Sequence, residues 1–230
     1  MRALTTTNWY LRIGLLLSSA GCIAQSNFYD TTFRSTYYEQ KRALYEALPN
    51  GRKEIIFLGN SLTDTGEWAE LLGNKRVKNR GISGDTSFGV LARLSEATAS
   101  KPAKIFLMIG INDVSRGIPD SLILRNYGRI VRKIQIDSPH TRIYLQSILP
   151  TNDAFPQFNR HQQKEHHIRA LNDSLQALAL LTGQVFVDLR PYLGDATGKL
   201  SAQYTNDGLH LKGAGYGRWV TALREKKYVK

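Results

Sequence analysis

Five short apolar runs, each followed by a segment of helical periodicity, leave this chain few folds. The runs are EIIFLG (54–59), RVKNRGI (76–82), AKIFLMIG (103–110), RIYLQSILP (142–150) and QVFVDL (184–189). Several are apolar at consecutive positions, as strands are when both of their faces are covered. The helical segments run through Trp68, Leu71 and Leu72; through Val90, Leu91 and Leu94; over about 120–136; from Phe158 to Leu181; and from Gly213 to Lys226. A further helix precedes the first strand, with Tyr37, Tyr38, Leu44, Tyr45 and Leu48 on its apolar side and Pro49-Asn50-Gly51 as its stop. Strand and helix in alternation predict one α/β domain of three layers, α/β/α, around a parallel sheet. In such folds the chemistry sits at the carboxyl ends of the strands.

The domain does not begin at residue 1. Arg2 and Arg12 precede an apolar run from Ile13 to Leu17 and then small residues, the layout of a secretory signal. The run is too short to span a bilayer. Cleavage after Ala24 would leave a single domain at 25–230. Lipid attachment at Cys22, in SSAGC, is the second option. Cys22 is the only cysteine, so the mature chain carries no disulfide framework, thiolate metal site or cysteine nucleophile. That suits a secreted or periplasmic bacterial protein, with an outer-membrane lipoprotein as the variant.

The net charge is +12, from 31 Lys and Arg against 19 Asp and Glu. The charges are scattered, and no zinc-finger spacing or aromatic RNA-binding motif accompanies them. Charge alone speaks to solubility and association, so no nucleic-acid partner is expected.

The strand ends hold the informative residues. Gly59, Asn60 and Ser61 follow the first strand; Ser83, Gly84 and Asp85 the second; Gly110, Asn112 and Asp113 the third. Asp207 and His210 lie between the fifth strand and the last helix. Singly these are turn and cap residues. Together they supply what ester hydrolysis requires. Ser61 is the candidate nucleophile, and its hydroxyl needs a base. His210 is the candidate base. Asp207, three residues earlier, reaches the far ring nitrogen if the two share a helical turn. The N–H groups of Ser61 and Gly84 and the side-chain amide of Asn112 are the candidate oxyanion donors. No metal or other cofactor is expected. His161, His166 and His167 lack the i, i+4 spacing of a helical metal site and read as a solvated face. Asp85, Thr86 and Ser87 line the mouth, or Asp85 caps the next helix. Trp68 is pocket wall or core.

The blocks GNSLTD (59–64), NRGISGDTSFGVLARL (79–94), GIND (110–113) and DGLH (207–210) resemble, in order, those of the SGNH hydrolases, or GDSL-type esterases and lipases. The signature residues of the resemblance are Ser61, Gly84, Asn112 and His210. It implies a flavodoxin-like five-stranded sheet in the order 2-1-3-4-5 and metal-independent hydrolysis through an acyl-enzyme. The first block of that family usually reads Gly-Asp-Ser. Here Asn60 keeps the shape and one acceptor oxygen but loses the charge. The change bears on the support of the nucleophile turn, not on the Ser61–His210–Asp207 set. A Gly-x-Ser-x-Gly elbow is absent, which sets the chain apart from the α/β-hydrolases.

No long hydrophobic lid is visible, and export places the substrate outside the cytoplasm. Short acyl groups, above all O-acetyl, on a carbohydrate or small molecule are the first reading. A lysophospholipase or thioesterase for longer chains is the second, and a non-catalytic glycan-binding relative the third. Oligomeric state is not readable from the sequence.

Overall fold

The computed structural model describes residues 29–230. The expected signal at 1–24, Cys22 and the Ala24 cleavage point lie outside those residues. Each apolar run contains a strand: β1 (Ile55–Gly59), β2 (Val77–Gly81), β3 (Lys104–Met108), β4 (Arg142–Gln146) and β5 (Val185–Val187). They form one parallel sheet in the order β2-β1-β3-β4-β5, as expected. The register aligns Gly59 with both Gly81 and Met108. The carboxyl ends of the three strands that precede the glycine, serine and asparagine blocks therefore meet at one edge.

The consecutive apolar residues divide between two cores. Ile56, Leu58, Ile105, Leu107, Ile143 and Leu145 face one side. There they meet α4 (Ser87–Ala92), α5 (Leu94–Ala99), α7 (Asp120–Asp137) and α8 (Glu165–Leu181). Phe57, Phe106, Met108 and Tyr144 face the other, against α3 (Trp68–Leu71), α9 (Arg190–Leu193) and α10 (Gly213–Glu225). Phe57, Phe106 and Tyr144 stack across the strands with centroids 4.8 and 4.4 Å apart. Trp68 stacks on Phe57 at 4.1 Å and is buried, which settles it as core. Each such side chain stabilises the fold by about 1.5–3 kcal/mol through burial.

Two expected helices differ. The helix before the first strand is α1 (Thr36–Ala47), capped by Ser35, but only Tyr38 and Tyr45 of its five apolar residues are buried. Tyr37, Leu44 and Leu48 remain exposed. The buried pair is anchored by hydroxyls, Tyr38 to the Gly89 carbonyl and Tyr45 to the Gly81 carbonyl. The helix expected from Phe158 begins instead at Glu165. Residues Asn159–His161 form one 3-10 turn, entered through Phe158 in a left-handed conformation, φ 55°. The first buried apolar residue of α8 is Ile168, so nothing N-terminal to that turn holds helix against the core.

Asp85 neither lines the mouth nor caps a helix. It is fully buried and paired with Arg93, whose Nε donates to its Oδ2 at 2.9 Å. Arg93 Nη2 also donates to the carbonyls of Gly59 and Arg80. Burial pushes the Asp85 carboxyl up to about 6, against the pull of Arg93. The arginine thus ties together the ends of β1 and β2 and the loop after β2. Arg93→Ala would strand the acid, and losing one partner of a buried pair costs about 3–5 kcal/mol. A fall in the thermal midpoint of roughly 10 °C is expected; a calorimetric midpoint within 2–3 °C, about 1 kcal/mol, would contradict this role.

Candidate active site

Gly59 ends β1, and only glycine fits there: a Cβ would lie 2.3 Å from the Met108 carbonyl oxygen and 2.4 Å from Thr63 Oγ1. The chain then turns into α2 (Ser61–Asp64), with Asn60 as its cap. Asn60 Oδ1 accepts from the Leu62 N–H at 3.1 Å. A cap needs an acceptor oxygen and no charge, so asparagine supports this turn as an aspartate would. Its Nδ2 is buried without a partner among the described residues, which costs about 1–3 kcal/mol. Asp64, at the other end of α2, accepts from Ser83, Tyr37 and Lys41. It thereby fixes the loop after β2 and α1 to the serine turn. Burial opposes its ionisation, but these donors hold its carboxyl below the usual range.

Ser61 opens α2 with its Oγ 2.9 Å from His210 Nε2. His210 Nδ1 lies 2.8 Å from Asp207 Oδ2. The Asp207–His210 spacing works, but not through a helical turn. Asp207 Oδ1 accepts from the N–H groups of Leu209 and His210, at 2.9 and 2.8 Å, and closes the turn ahead of α10. Burial would raise the Asp207 carboxyl; the two N–H groups and the His210 ring outweigh it and hold it low. An ionised carboxylate, an imidazole and a hydroxyl in line form an arrangement that can draw the hydroxyl proton onto the ring.

Gly84 sits beside this line at φ +80°, a conformation that side chains disfavour, with open space where a Cβ would be. Neither its N–H nor that of Ser61 is engaged by a hydrogen bond among the described residues. Asn112 is the second residue of α6 (Ile111–Ser115), which follows β3. Its Nδ2 donates to the Asp85 carbonyl at 2.8 Å. Asp113 is buried below and accepts from the Ser87 N–H and hydroxyl, which secures α4 to the end of β3. The structure thus brings Ser61, Gly84, Asn112, Asp207 and His210 around one open cleft of about 630 Å³.

The cleft also holds residues that the sequence did not assign to the site. Phe158 stands edge-on to His210, with centroids 4.9 Å apart. His161, Arg116 and Arg160 complete the rim, and Arg116 donates to the Gly84 carbonyl at 3.2 Å. His161 is not on a solvated helix face. Its Nε2 is 3.0 Å from Asn112 Oδ1. His167 faces Asp120 instead, and among the described residues no group of three or more His, Cys, Asp or Glu could hold a metal ion. The Asn152–Pro156 stretch, with its turn-forming residues, was the available signal that a loop rather than a helix reaches Phe158.

Residues 57–218 match the model of the GDSL-like lipase/acylhydrolase family. The alpha2 subunit of platelet-activating factor acetylhydrolase IB from Homo sapiens is 26% identical over 178 residues, 75% of each chain. A Streptococcus pneumonia protein provisionally described as a platelet activating factor superposes with TM-score 0.77 at 32% identity, covering 83% of this chain and 92% of the other. A variant of Axe2, an acetyl-xylooligosaccharide esterase from Geobacillus stearothermophilus, superposes with TM-score 0.59 at 25% identity, covering 79% and 98%.

Proposed function

Within the GDSL-like lipase/acylhydrolase family, to which this chain belongs, we propose that it is an esterase for short acyl groups, chiefly O-acetyl on carbohydrate. The enzyme class is carboxylic ester hydrolase. In the proposed reaction Ser61 Oγ attacks the acyl carbon as His210 Nε2 takes its proton. The carbonyl oxygen becomes an oxyanion held by the N–H groups of Ser61 and Gly84 and by Asn112 Nδ2. His210 returns the proton to the leaving alcohol, and the acyl group stays on Ser61. Water then enters, loses a proton to His210, and releases the carboxylic acid by the reverse sequence. Asp207 keeps the imidazole in the productive tautomer and stabilises the imidazolium.

One observation carries the short-acyl reading. The cleft at Ser61 is lined mainly by polar side chains, and Phe158 and Leu209 are its only large apolar ones. A long acyl chain would find only these two large apolar side chains to pack on, at about 0.8 kcal/mol for each CH₂ left unburied. An alcohol rich in hydroxyls meets Ser83, Ser115, Arg116 and Arg160. The names of two relatives, an acetylhydrolase and an acetyl-xylooligosaccharide esterase, support the same reading. The signal layout at 1–24 supports an exported enzyme, and no helix among the described residues is long and apolar enough to cross a membrane.

The test is a series of p-nitrophenyl esters from acetyl to decanoyl, with acetylated xylo-oligosaccharides alongside. We expect kcat/KM to be highest for acetyl or propionyl and to fall by about tenfold or more by octanoyl, equivalent to about 1.4 kcal/mol. A rate that climbs steadily to decanoyl would favour an enzyme for longer chains.

A further inference from the structure

A terminal amide can turn by half a rotation and present its oxygen where its nitrogen should be. Asn112 serves an oxyanion only if that rotation is blocked. Two contacts decide it. The Asp85 carbonyl, 2.8 Å away, can only accept, so the Asn112 atom facing it is Nδ2. Oδ1 then faces His161 Nε2 at 3.0 Å, and an acceptor there requires that Nε2 carry the ring proton.

We propose that His161 is a positioning residue for the ester hydrolysis: its Nε2–H, donated to Asn112 Oδ1, locks the amide so that the second Nδ2 proton is left for the oxyanion. The assignment rests on the esterase reading and adds to it a residue from a segment outside all four sequence blocks.

The surroundings of the ring favour this single-proton state. His161 Nδ1 is buried with no hydrogen-bond partner among the described residues. A second ring proton would find only the Phe158 carbonyl nearby, which does not meet hydrogen-bond geometry with Nδ1 in this structure. Burial first, and then the charge of His210, push the ring down to about 4; Arg116 and Arg160 act the same way, and only the Phe158 carbonyl opposes them. The ring is therefore a neutral donor throughout the range in which an imidazole base works. The chain accepts a disfavoured backbone to put it there. Phe158, a bulky residue, is left-handed, and its carbonyl accepts from the His161 N–H at 2.8 Å. Disfavoured conformations of this kind cluster at functional sites.

The test is a double-mutant cycle on p-nitrophenyl acetate with H161A, N112A and the double variant, plus H161Q, whose side-chain amide can still donate. For H161A we expect kcat to fall about tenfold, as for a catalytic group loosened rather than removed, with KM changed less than about twofold. H161Q should recover to within about threefold of wild type, since the donor is restored. In the N112A background H161A should cost nothing more, because its effect runs through the missing amide. Should H161A lose its thermal transition, H161L keeps the bulk without the donor and takes its place in the cycle. Additive losses, an H161Q as impaired as H161A, or a loss confined to KM would overturn the assignment while leaving the esterase reading intact. No turnover by wild type would overturn both.

Discussion

Replacing Ser61 by alanine should lower kcat on p-nitrophenyl acetate by about 10⁵-fold or more, the scale seen when the nucleophile of a serine hydrolase is removed. The reason is chemical rather than structural. Among the described residues the Ser61 hydroxyl has one hydrogen-bond partner, His210 Nε2. The cap of α2 is supplied by Asn60 and the ends of the turn by Asp64. S61A therefore removes the proposed nucleophile and leaves its supports in place. The thermal midpoint should stay within about 2 °C of wild type, as for a change touching no buried network. Residual turnover, through water acting within the oxyanion donors, should still exceed the uncatalysed rate. Wild-type and S61A proteins turning over the ester equally would remove Ser61 from the mechanism.

The second large effect is expected of Asp207→Asn, and the turn around it explains why. Asp207 uses Oδ1 to hold the Leu209 and His210 N–H groups and Oδ2 to face His210 Nδ1. An asparagine must keep its oxygen toward the two N–H groups, which only donate. Its NH₂ is then driven against His210 Nδ1, which must become an acceptor. The ring proton moves to Nε2, the atom that should receive the proton of Ser61. We expect kcat to fall about 10⁴-fold, the cost of this wrong tautomer in a triad, with little change in stability because the turn survives. D207A should lose both the turn and the tautomer, so its thermal midpoint should fall as well. If D207N instead keeps more than a tenth of wild-type kcat, then Asp207 does not set the tautomer.

The strands, their parallel arrangement and the five candidate catalytic and oxyanion residues were legible in the sequence. Apolar runs such as IIFL and KIFLM describe their own burial on two faces, and chemistry in such a sheet has few places to go. The blocks that follow the strands could be read without knowing what touches them. Two nearby features could not. Asp85 read as a mouth or capping residue because Arg93, its partner, lies eight residues on and declares itself only in the folded interior. His161 read as a solvated helical histidine because the polar run after Phe158 has the composition of a helix surface.

What the sequence determined by itself was local: which segments hold the strands and which candidate side chains follow them, though not where each strand ends, since β4 stops at Gln146 within a run that extends to Pro150. Burial periodicity and turn chemistry act over a few residues, and those remain readable in one dimension. The tertiary structure decided the contacts between the segments that follow the strands: Ser61 with His210 across 149 residues, and Asn112 with His161 across 49. It also decided that Asn60 suffices as a cap and that Phe158 bends the loop over the cleft. These depend on which surfaces close on one another. A hydrogen bond specifies an angle and a distance but no sequence separation.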